Sequence, residues 1–228
     1  MIRRFARLLC SLVVAVPCLL ELGGCNILTA ASFVVRPEPE VEAKYDLEDR
    51  PTVVFIDDRR NRISPTRLRR VIAEEATTVL MEKEVVSEHN MIPARDAIRV
   101  SSKHDRAGKL LSVHAIGEAV GAEQIIYVNV DEFALTRDGQ TPEPKAICRV
   151  RVICVENEER LFPTSTAPGD YDYYQLVVDL PNVDPHGFHT ISTRNDLNDR
   201  LAITTGDDIA KLFFTHMTSE LGDRIETR

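Results

Sequence analysis

Thr52-Val53-Val54-Phe55-Ile56 runs directly into Asp57-Asp58, and this stretch decides the fold of the chain. It is short and rich in β-branched residues, which is the composition of a β-strand. The two aspartates end the apolar run abruptly. The stretch therefore predicts a central strand of a sheet, and the other elements are predicted outward from it.

A helix is predicted after this strand. A basic loop with Arg59, Arg60 and Arg62 leads to Ser64-Pro65, a pair that suits the N-cap and first position of a helix. Apolar residues then recur at helical spacing up to about Lys83. They are Leu68, Val71, Ile72, Ala76, Val79 and Leu80. The pattern predicts an amphipathic helix with one face on the sheet.

Shorter elements follow. Val85-Val86 predicts a short second strand, and residues 90–100 predict a short helix. A second amphipathic helix is predicted from about Ser112, and Gly121 suits the left-handed residue that closes a helix. The strand Ile125–Val130 comes directly after it. Such an abrupt junction is characteristic of a helix packed on the sheet that it feeds.

Lys145–Val155 is predicted to be a long strand with one apolar face. That face carries Ala146, Cys148, Val150, Val152 and Cys154, while Arg149 and Arg151 lie on the other. The predicted partner strand is Gln124–Leu135, joined through a turn at Asp138-Gly139. Cys148 and Cys154 share a face but lie about 20 Å apart along a strand, too far for a disulfide. Both are predicted to be buried.

The motifs Ala119-Val-Gly-Ala122 and Val155-Glu-Asn-Glu-Glu-Arg-Leu-Phe162 carry a family resemblance. In this order of elements they resemble envelope lipoproteins related to the curli secretion protein CsgG, and the amino-terminal domain of TolB. The resemblance covers Thr52–Phe162. It implies an α/β (α+β) fold with a mixed sheet, a hairpin near Val155–Phe162, and work in an envelope complex rather than catalysis.

Residues 163–228 are predicted to extend this domain. Tyr171, Tyr173 and Tyr174 precede a further strand at Leu176–Leu180. The tyrosines either form a binding surface or cover a sheet edge. A C-terminal helix is predicted from Thr205-Gly-Asp-Asp208, with apolar residues at helical spacing to Leu221. In an alternative arrangement, Phe213 and Phe214 point to different sides, one into the core and one toward a partner.

The first residues of the sequence predict an export signal. Arg3, Arg4 and Arg7 precede an apolar segment, Leu8–Leu20, and Leu22-Gly-Gly-Cys25 has the form of a lipobox. The alternative, an uncleaved membrane helix or a buried helix over the same residues, is disfavoured because a span needs about 20 apolar residues. Residues 1–24 are thus the predicted signal peptide, and Cys25 is the predicted lipid acceptor.

The predicted organisation is a tether over residues 25–50 and one α/β domain over 51–228, with its core at 51–162. Pro37, Pro39 and several glutamates favour a semi-extended linker. Asn26, rather than aspartate, follows the acceptor. That choice is compatible with the outer membrane in some bacteria. The predicted location is therefore the envelope, facing the periplasm, and the outer membrane in preference to the inner.

Charge limits the partners. The chain has a formal net charge of −8, and its first 24 residues contribute three arginines and one glutamate, so the mature chain carries −10. This balance argues against a nucleic-acid partner and against electrostatic docking on anionic lipid. The predicted partners are the membrane, through the acyl chains, and another envelope protein or further copies of the chain.

No catalytic, cofactor or metal site is predicted. Ser64 lacks the surroundings of a nucleophile elbow, and no glycine-rich phosphate loop is present. The leading hypothesis is a non-enzymatic accessory of a transport or secretion complex. The alternative is a metal-dependent hydrolase in which Asp57 and Asp58 converge with His186 or His189. A pore-forming role is disfavoured because no pair of spanning hairpins is recognisable.

Changing Cys25→Ser is expected to abolish acylation and block maturation, because serine lacks the thiol that carries the thioether-linked lipid. Labelling cells with a fatty-acid analogue measures the effect, with Cys148→Ala as a control that leaves the lipobox intact. Absence of label from the unmodified protein would show that Cys25 is not a lipid acceptor.

Overall fold

A computed structural model describes residues 40–106, 108–164, 171–181, 183 and 188–217. The chain divides into two compact units, Met1–Glu40 and Val41–Arg228. Only Glu40 of the first unit is among the described residues, so the fold presented below is that of the second. The predicted signal peptide and Cys25 lie outside the described residues.

The second unit combines four helices with eight strands among the described residues. In chain order the elements are β1 (Glu40–Val41), β2 (Thr52–Asp57), α1 (Arg67–Glu82), β3 (Met91–Ile92), α2 (Ala94–Arg106), α3 (Val113–Val120), β4 (Gln124–Thr136), β5 (Pro142–Cys154), β6 (Arg160–Phe162), β7 (Tyr174–Asp179), α4 (Ile191–Ala210) and β8 (His216–Met217). A short 3₁₀ turn, Lys211–Phe213, follows α4.

Six strands form one mixed sheet in the order β3-β2-β4-β5-β6, with β7 also beside β5. β2 runs parallel to both β3 and β4, whereas β5 is antiparallel to β4. The strands β6 and β7 share the free edge of β5: β6 pairs at Val152–Ile153 and β7 pairs over Lys145–Val150. The predicted mixed α/β fold is thereby confirmed.

The strand β2 is buried along its whole length because helices cover both faces of the sheet at this point. Val54 and Ile56 belong to the core shared with α1 and α4. Val53 and Phe55 belong to a second, smaller core shared with α2 and α3. This two-sided burial explains why the strand shows a continuous apolar run rather than alternation.

The long strand β5 has the alternation that the sequence predicts. All five residues of its predicted apolar face are buried, and β4 is its antiparallel partner. Cys148 and Cys154 are both buried free thiols. Burial raises the pKa of the Cys148 thiol to about 12, so this cysteine is a core residue rather than a nucleophile. The strand pair β5–β6 provides the hairpin implied by the family resemblance.

Two local predictions before β4 are wrong in position. The helix α1 begins at Arg67 rather than at Ser64, because the backbone N–H groups of Arg62 and Ile63 are held by Asp58 and keep the loop from joining the helix. Val85-Val86 is not a strand. Both of its N–H groups donate to the carbonyl of Leu80, which closes α1, and the second strand forms at Met91–Ile92 instead.

The predicted start of the C-terminal helix is also wrong. Helix α4 begins at Ile191, capped by Thr190, and Thr205-Gly206 lies inside it. The Thr205 hydroxyl donates to the carbonyl of Leu201 rather than capping a new helix. A Cβ at Gly206 would lie 2.5 Å from the carbonyl oxygen of Ile72, so glycine permits a close approach of α4 to α1.

The chain after α4 departs from the prediction as well. Phe213 is buried in the main core, and Phe214 is half-buried with the Lys83 ammonium 5.9 Å from its ring centre. The backbone at Phe214 is extended, which ends the helical segment there. Leu221, where the helix was predicted to end, lies outside the described residues.

Part of the predicted tether lies on the domain. The N–H of Lys44 donates to the carbonyl of Leu212 over 2.7 Å, and the Tyr45 ring lies 5.7 Å from that of Phe162. Hydrogen bonds from Asn90 and Ser87 lower the pKa of the Asp49 carboxyl to about 2. The folded unit therefore begins at Val41 rather than at residue 51.

Candidate functional site

A polar cavity lies at the carboxyl end of β2. The chain leaves β2 through α1 to β3 on one side, and returns through α2 and α3 to β4 on the other. The end of β2 is thus a topological switch point, the usual ligand position in open α/β sheets. The cavity has a volume of about 260 Å³, and its polar lining consists of Asp57, Asp58, Arg59, Asn61, Arg69, Ser101, Ser102 and Asp105.

Asp58 is buried at the back of this cavity and organises the loop that follows β2. One carboxylate oxygen accepts from the N–H of Arg62 over 2.6 Å. The other accepts from the N–H of Ile63 over 2.9 Å and from the Arg69 guanidinium over 3.1 Å. Because both oxygens are engaged, the carboxylate acts as a clamp that fixes residues 58–63.

Asp57 is buried beside Asp58 and faces β4. It accepts a hydrogen bond from the Tyr127 hydroxyl over 2.7 Å, and its second oxygen accepts from the N–H of Arg59 over 3.2 Å. The Arg59 guanidinium lies 3.6 Å away. Burial, and then the hydrogen bond to Asp57, raise the pKa of Tyr127 to about 12. The phenol therefore stays a neutral donor over the physiological range.

These contacts give both aspartates a structural role. All four carboxylate oxygens accept hydrogen bonds from the protein, two bonds in all for Asp57 and three for Asp58. In the part of the chain that the structure describes, no three His, Cys, Asp or Glu side chains are grouped to hold a metal ion. Asp57 and Asp58 are structural acceptors here.

His186 lies outside the described residues, so only His189 of the alternative hypothesis can be placed. His189 is exposed and lies edge-on to the ring of Phe188, with the ring centres 6.2 Å apart. It does not line the cavity at the end of β2.

A second candidate site is the sheet face that α2 and α3 leave uncovered. Those helices pack over β2 and the beginning of β4. Beyond them, β4, β5 and β7 present a row of half-buried polar side chains, in which Tyr127 pairs with Arg151, and Asn129 pairs with Arg149. Arg149 also pairs with Gln175 of β7. The sequence indicates this face only through the polar positions of β5.

The predicted tyrosine cluster divides between the core and this face. Tyr174 packs on Phe162 in the core, with ring centres 5.6 Å apart. Tyr171 is 68% exposed, and its ring centre lies 5.2 Å from that of Tyr173. The guanidinium of Arg149 lies 5.2 Å from the centre of the Tyr173 ring. Tyr171 and Tyr173 are therefore the two tyrosines that lie on this face.

The arginines of this face are fixed by carboxylates and an amide that sequence reasoning missed. Arg149 donates to Asn129 and to Asp131, each over 2.7 Å. Arg151 is paired with Asp172 over 2.8 Å. We name the surface formed by Asn129, Asp131, Arg149, Arg151, Tyr171, Tyr173 and Val177 the tyrosine face. Val177 adds an apolar side chain that is 44% exposed.

The fold was also compared with known proteins. No family model and no curated protein match the chain. The PelC dodecamer from Paraburkholderia phytofirmans is 12% identical with a TM-score of 0.40, over 78% of this chain and 97% of that one. The hypothetical protein CT253 from Chlamydia trachomatis is 12% identical with a TM-score of 0.40, over 72% and 93%. The lipoprotein GNA1162 from Neisseria meningitidis is 11% identical with a TM-score of 0.33, over 65% and 94%.

These similarities are too low to transfer a function, because every TM-score is below 0.5. None of the three structures is described as a relative of CsgG or TolB, so that resemblance stays a prediction.

Among the helices that the structure describes, none is long and apolar enough to cross a membrane.

Asp58→Asn is expected to lower the free energy of unfolding by about 2–3 kcal/mol, because the amide replaces a charged acceptor of three hydrogen bonds with one acceptor and one donor. Asp105→Asn is the matched control, since Asp105 lines the same cavity but is exposed. Urea unfolding measures both. Equal stability of the two variants would show that Asp58 does not hold the loop.

Proposed function

We propose that this chain is a lipid-anchored protein of the bacterial envelope that acts, without catalysis, as an assembly component of a transport or secretion complex. The export signal and lipobox ending at Cys25 support the anchor. The resemblance to envelope lipoproteins over Thr52–Phe162 supports the setting. In this proposal the domain faces the periplasm, and the outer membrane is favoured over the inner.

The tyrosine face is the observation that carries the docking role. Tyrosine and arginine are the residues most enriched at the energetic centres of protein interfaces. Here Tyr171 and Tyr173 lie side by side in the segment that leads into β7, and the Arg149 guanidinium lies 5.2 Å from the centre of the Tyr173 ring. Tyr171 and Val177 are exposed and Tyr173 is half-buried, so this face carries apolar surface that gains by burial against a partner.

The arrangement is also fixed before any partner binds. Arg149 donates hydrogen bonds to Asn129 and Asp131, and its guanidinium packs against the ring of Tyr173. Side chains that are already ordered lose less conformational entropy on association, which favours binding. The partner is either another envelope protein or a further copy of this chain.

The non-catalytic part of the proposal rests on the cavity at the end of β2. A hydrolase at that position would need Asp57 or Asp58 as a metal ligand or base. Their oxygens instead accept hydrogen bonds from Tyr127, Arg69 and three backbone N–H groups. No observation in the described part of the chain favours the alternative hydrolase.

The combined change Tyr171→Ala and Tyr173→Ala is expected to weaken partner binding by about 2 kcal/mol or more, about thirtyfold in affinity, if these rings are the centre of the contact. A photo-crosslinking residue at the exposed position Gln175 measures the contact in intact cells. Loss of the adducts in the double variant is the predicted result.

Ile203→Ala is the matched control, because Ile203 is a similarly exposed apolar residue on α4, away from the tyrosine face. Tyr174 is left unchanged because its ring belongs to the core. Adducts that survive the double change, or that never form in the unmodified protein, would contradict docking through this face.

A further inference from the structure

The charge of this acidic chain is unevenly distributed. Residues 57–70 contain six arginines and two aspartates, a net charge of +4. Residues 99–109 contain four basic residues and one aspartate, a net charge of +3. The whole chain has a net charge of −8, so the remaining residues carry −15. The net charge of the whole chain therefore does not show that basic residues are concentrated in these two segments.

The fold brings the two basic segments together at the carboxyl end of β2. Asn61 and Arg69 of the first segment line the same cavity as Ser101 and Asp105 of the second. The Arg59 guanidinium also donates to the carbonyl of Leu111 over 2.6 Å, which ties the loop after β2 to the chain just beyond the second segment. We name these two segments together, with Leu110, the basic edge.

Carboxylates offset part of this charge. Among the side chains that the structure describes, four acids from outside the two segments contact arginines of the basic edge, and subtracting their charges from the formal +7 leaves +3. They are Glu74, Asp96, Asp131 and Asp199. The basic edge thus stays positive while the rest of the chain is strongly negative.

Four cations of the basic edge are directed at solvent. Arg60 is 64% exposed, and its one ion-pair contact, to Asp131, is long at 3.9 Å. Arg62, Lys103 and Lys109 are exposed, and their side chains make no ion pair within the described residues. Their charges are therefore available to an external anion.

The buried Asp58 fixes the conformation of the loop that carries Arg60 and Arg62. Its carboxylate binds the N–H groups of Arg62 and Ile63, so the backbone turns inward and the Arg60 and Arg62 side chains are left outside. Asn61 has the left-handed φ of 52° that this turn requires. The positive charge is thus presented on a rigid backbone.

An apolar residue lies among these cations. Leu110 directly follows Lys109, is 69% exposed, and lines the mouth of the cavity. The side chain of Leu110 adds apolar surface to the basic edge. Basic residues around an apolar side chain are the composition of surfaces that lie in a membrane interface.

We propose that the basic edge docks on an anionic bilayer surface, with Arg60, Arg62, Lys103 and Lys109 at the phosphate groups and Leu110 inserted between them. The inference rests on the proposed anchor at Cys25. Fifteen residues lie between Cys25 and Val41, and the chain between these two positions can span no more than about 55 Å. A lipid at Cys25 would therefore keep the domain close to a bilayer surface.

The test uses the lipidated full chain in vesicles of phosphatidylcholine alone or mixed with phosphatidylglycerol. A fluorophore is attached at Thr66→Cys, an exposed position in the basic edge whose side chain caps no helix. A second preparation carries it at Glu123→Cys, at the opposite end of the sheet. Cys148 and Cys154 are buried and do not compete for the label.

Energy transfer to a lipid-bound acceptor is expected to rise at position 66, but not at 123, when the vesicles contain phosphatidylglycerol. Added salt is expected to reverse the rise because the attraction is electrostatic. Each basic residue near an anionic membrane strengthens association about fivefold, so reversing all four charges should weaken docking about a hundredfold or more.

The variant with reversed charge is Arg60→Glu, Arg62→Glu, Lys103→Glu and Lys109→Glu. The control makes the same change in net charge at four basic residues outside the basic edge: Lys83→Glu, Arg95→Glu, Arg137→Glu and Arg200→Glu. Selective loss in the first variant supports the proposal. Equal loss in both variants, equal transfer in the two kinds of vesicle, or tighter binding to soluble polyglutamate would overturn it.

Two further measurements test the proposal if the variant with reversed charge does not fold or if Cys25 carries no lipid. If the variant with reversed charge does not fold, Leu110→Ser and the salt dependence of the unmodified chain carry the test, and an unchanged signal in both overturns the proposal. If Cys25 takes up no lipid, the proposed anchor fails separately. The unlipidated chain is then sedimented with the same vesicles, and absence of binding to phosphatidylglycerol overturns the basic edge.

Discussion

The burial of β2 on both faces is the constraint on which the rest of the structure depends. Its even-numbered residues, such as Val54, pack in one hydrophobic core, and its odd-numbered residues, such as Val53, pack in the other. The chain satisfies both by passing α1 behind the sheet, and α2 and α3 in front of it. That path makes the carboxyl end of β2 a switch point, where the polar groups that follow the strand collect.

Those polar groups determine what the site can do. Two carboxylates at a buried strand end need partners, because a buried charge without hydrogen bonds is costly. Asp57 is satisfied by Tyr127, and Asp58 by the loop N–H groups and Arg69. In the proposed account the aspartates shape a basic loop instead of performing chemistry, and function is carried by two surfaces, the tyrosine face and the basic edge.

The sequence predicts the elements whose signal is local. The alternation of β5, the cap of α3 at Ser112 and its left-handed end at Gly121 all appear as predicted. The sequence does not predict the part of helix α4 before Thr205, because small and polar residues occupy much of the buried side of this helix, including Thr205 and Gly206. Those two residues resemble a helix start, and only the close approach to α1 reveals their packing role.

Other errors reflect contacts that no local pattern encodes. The acidic, proline-containing segment before β2 has the composition of a linker, yet Tyr45 and Asp49 bind it to distant parts of the domain. The tyrosine cluster divides because Tyr174 is directed into the core while Tyr173 lies beside Arg149. The basic edge could not be predicted from the sequence because its two segments lie far apart along the chain and come together only in the fold.

The central claim is that this chain works through its surfaces in an assembly, and native mass spectrometry of the protein extracted from membranes in mild detergent tests it most directly. The account predicts masses that correspond to several copies of the acylated chain, or to the chain with another envelope protein. Recovery of the single acylated chain alone, under conditions that preserve known envelope complexes, would contradict it.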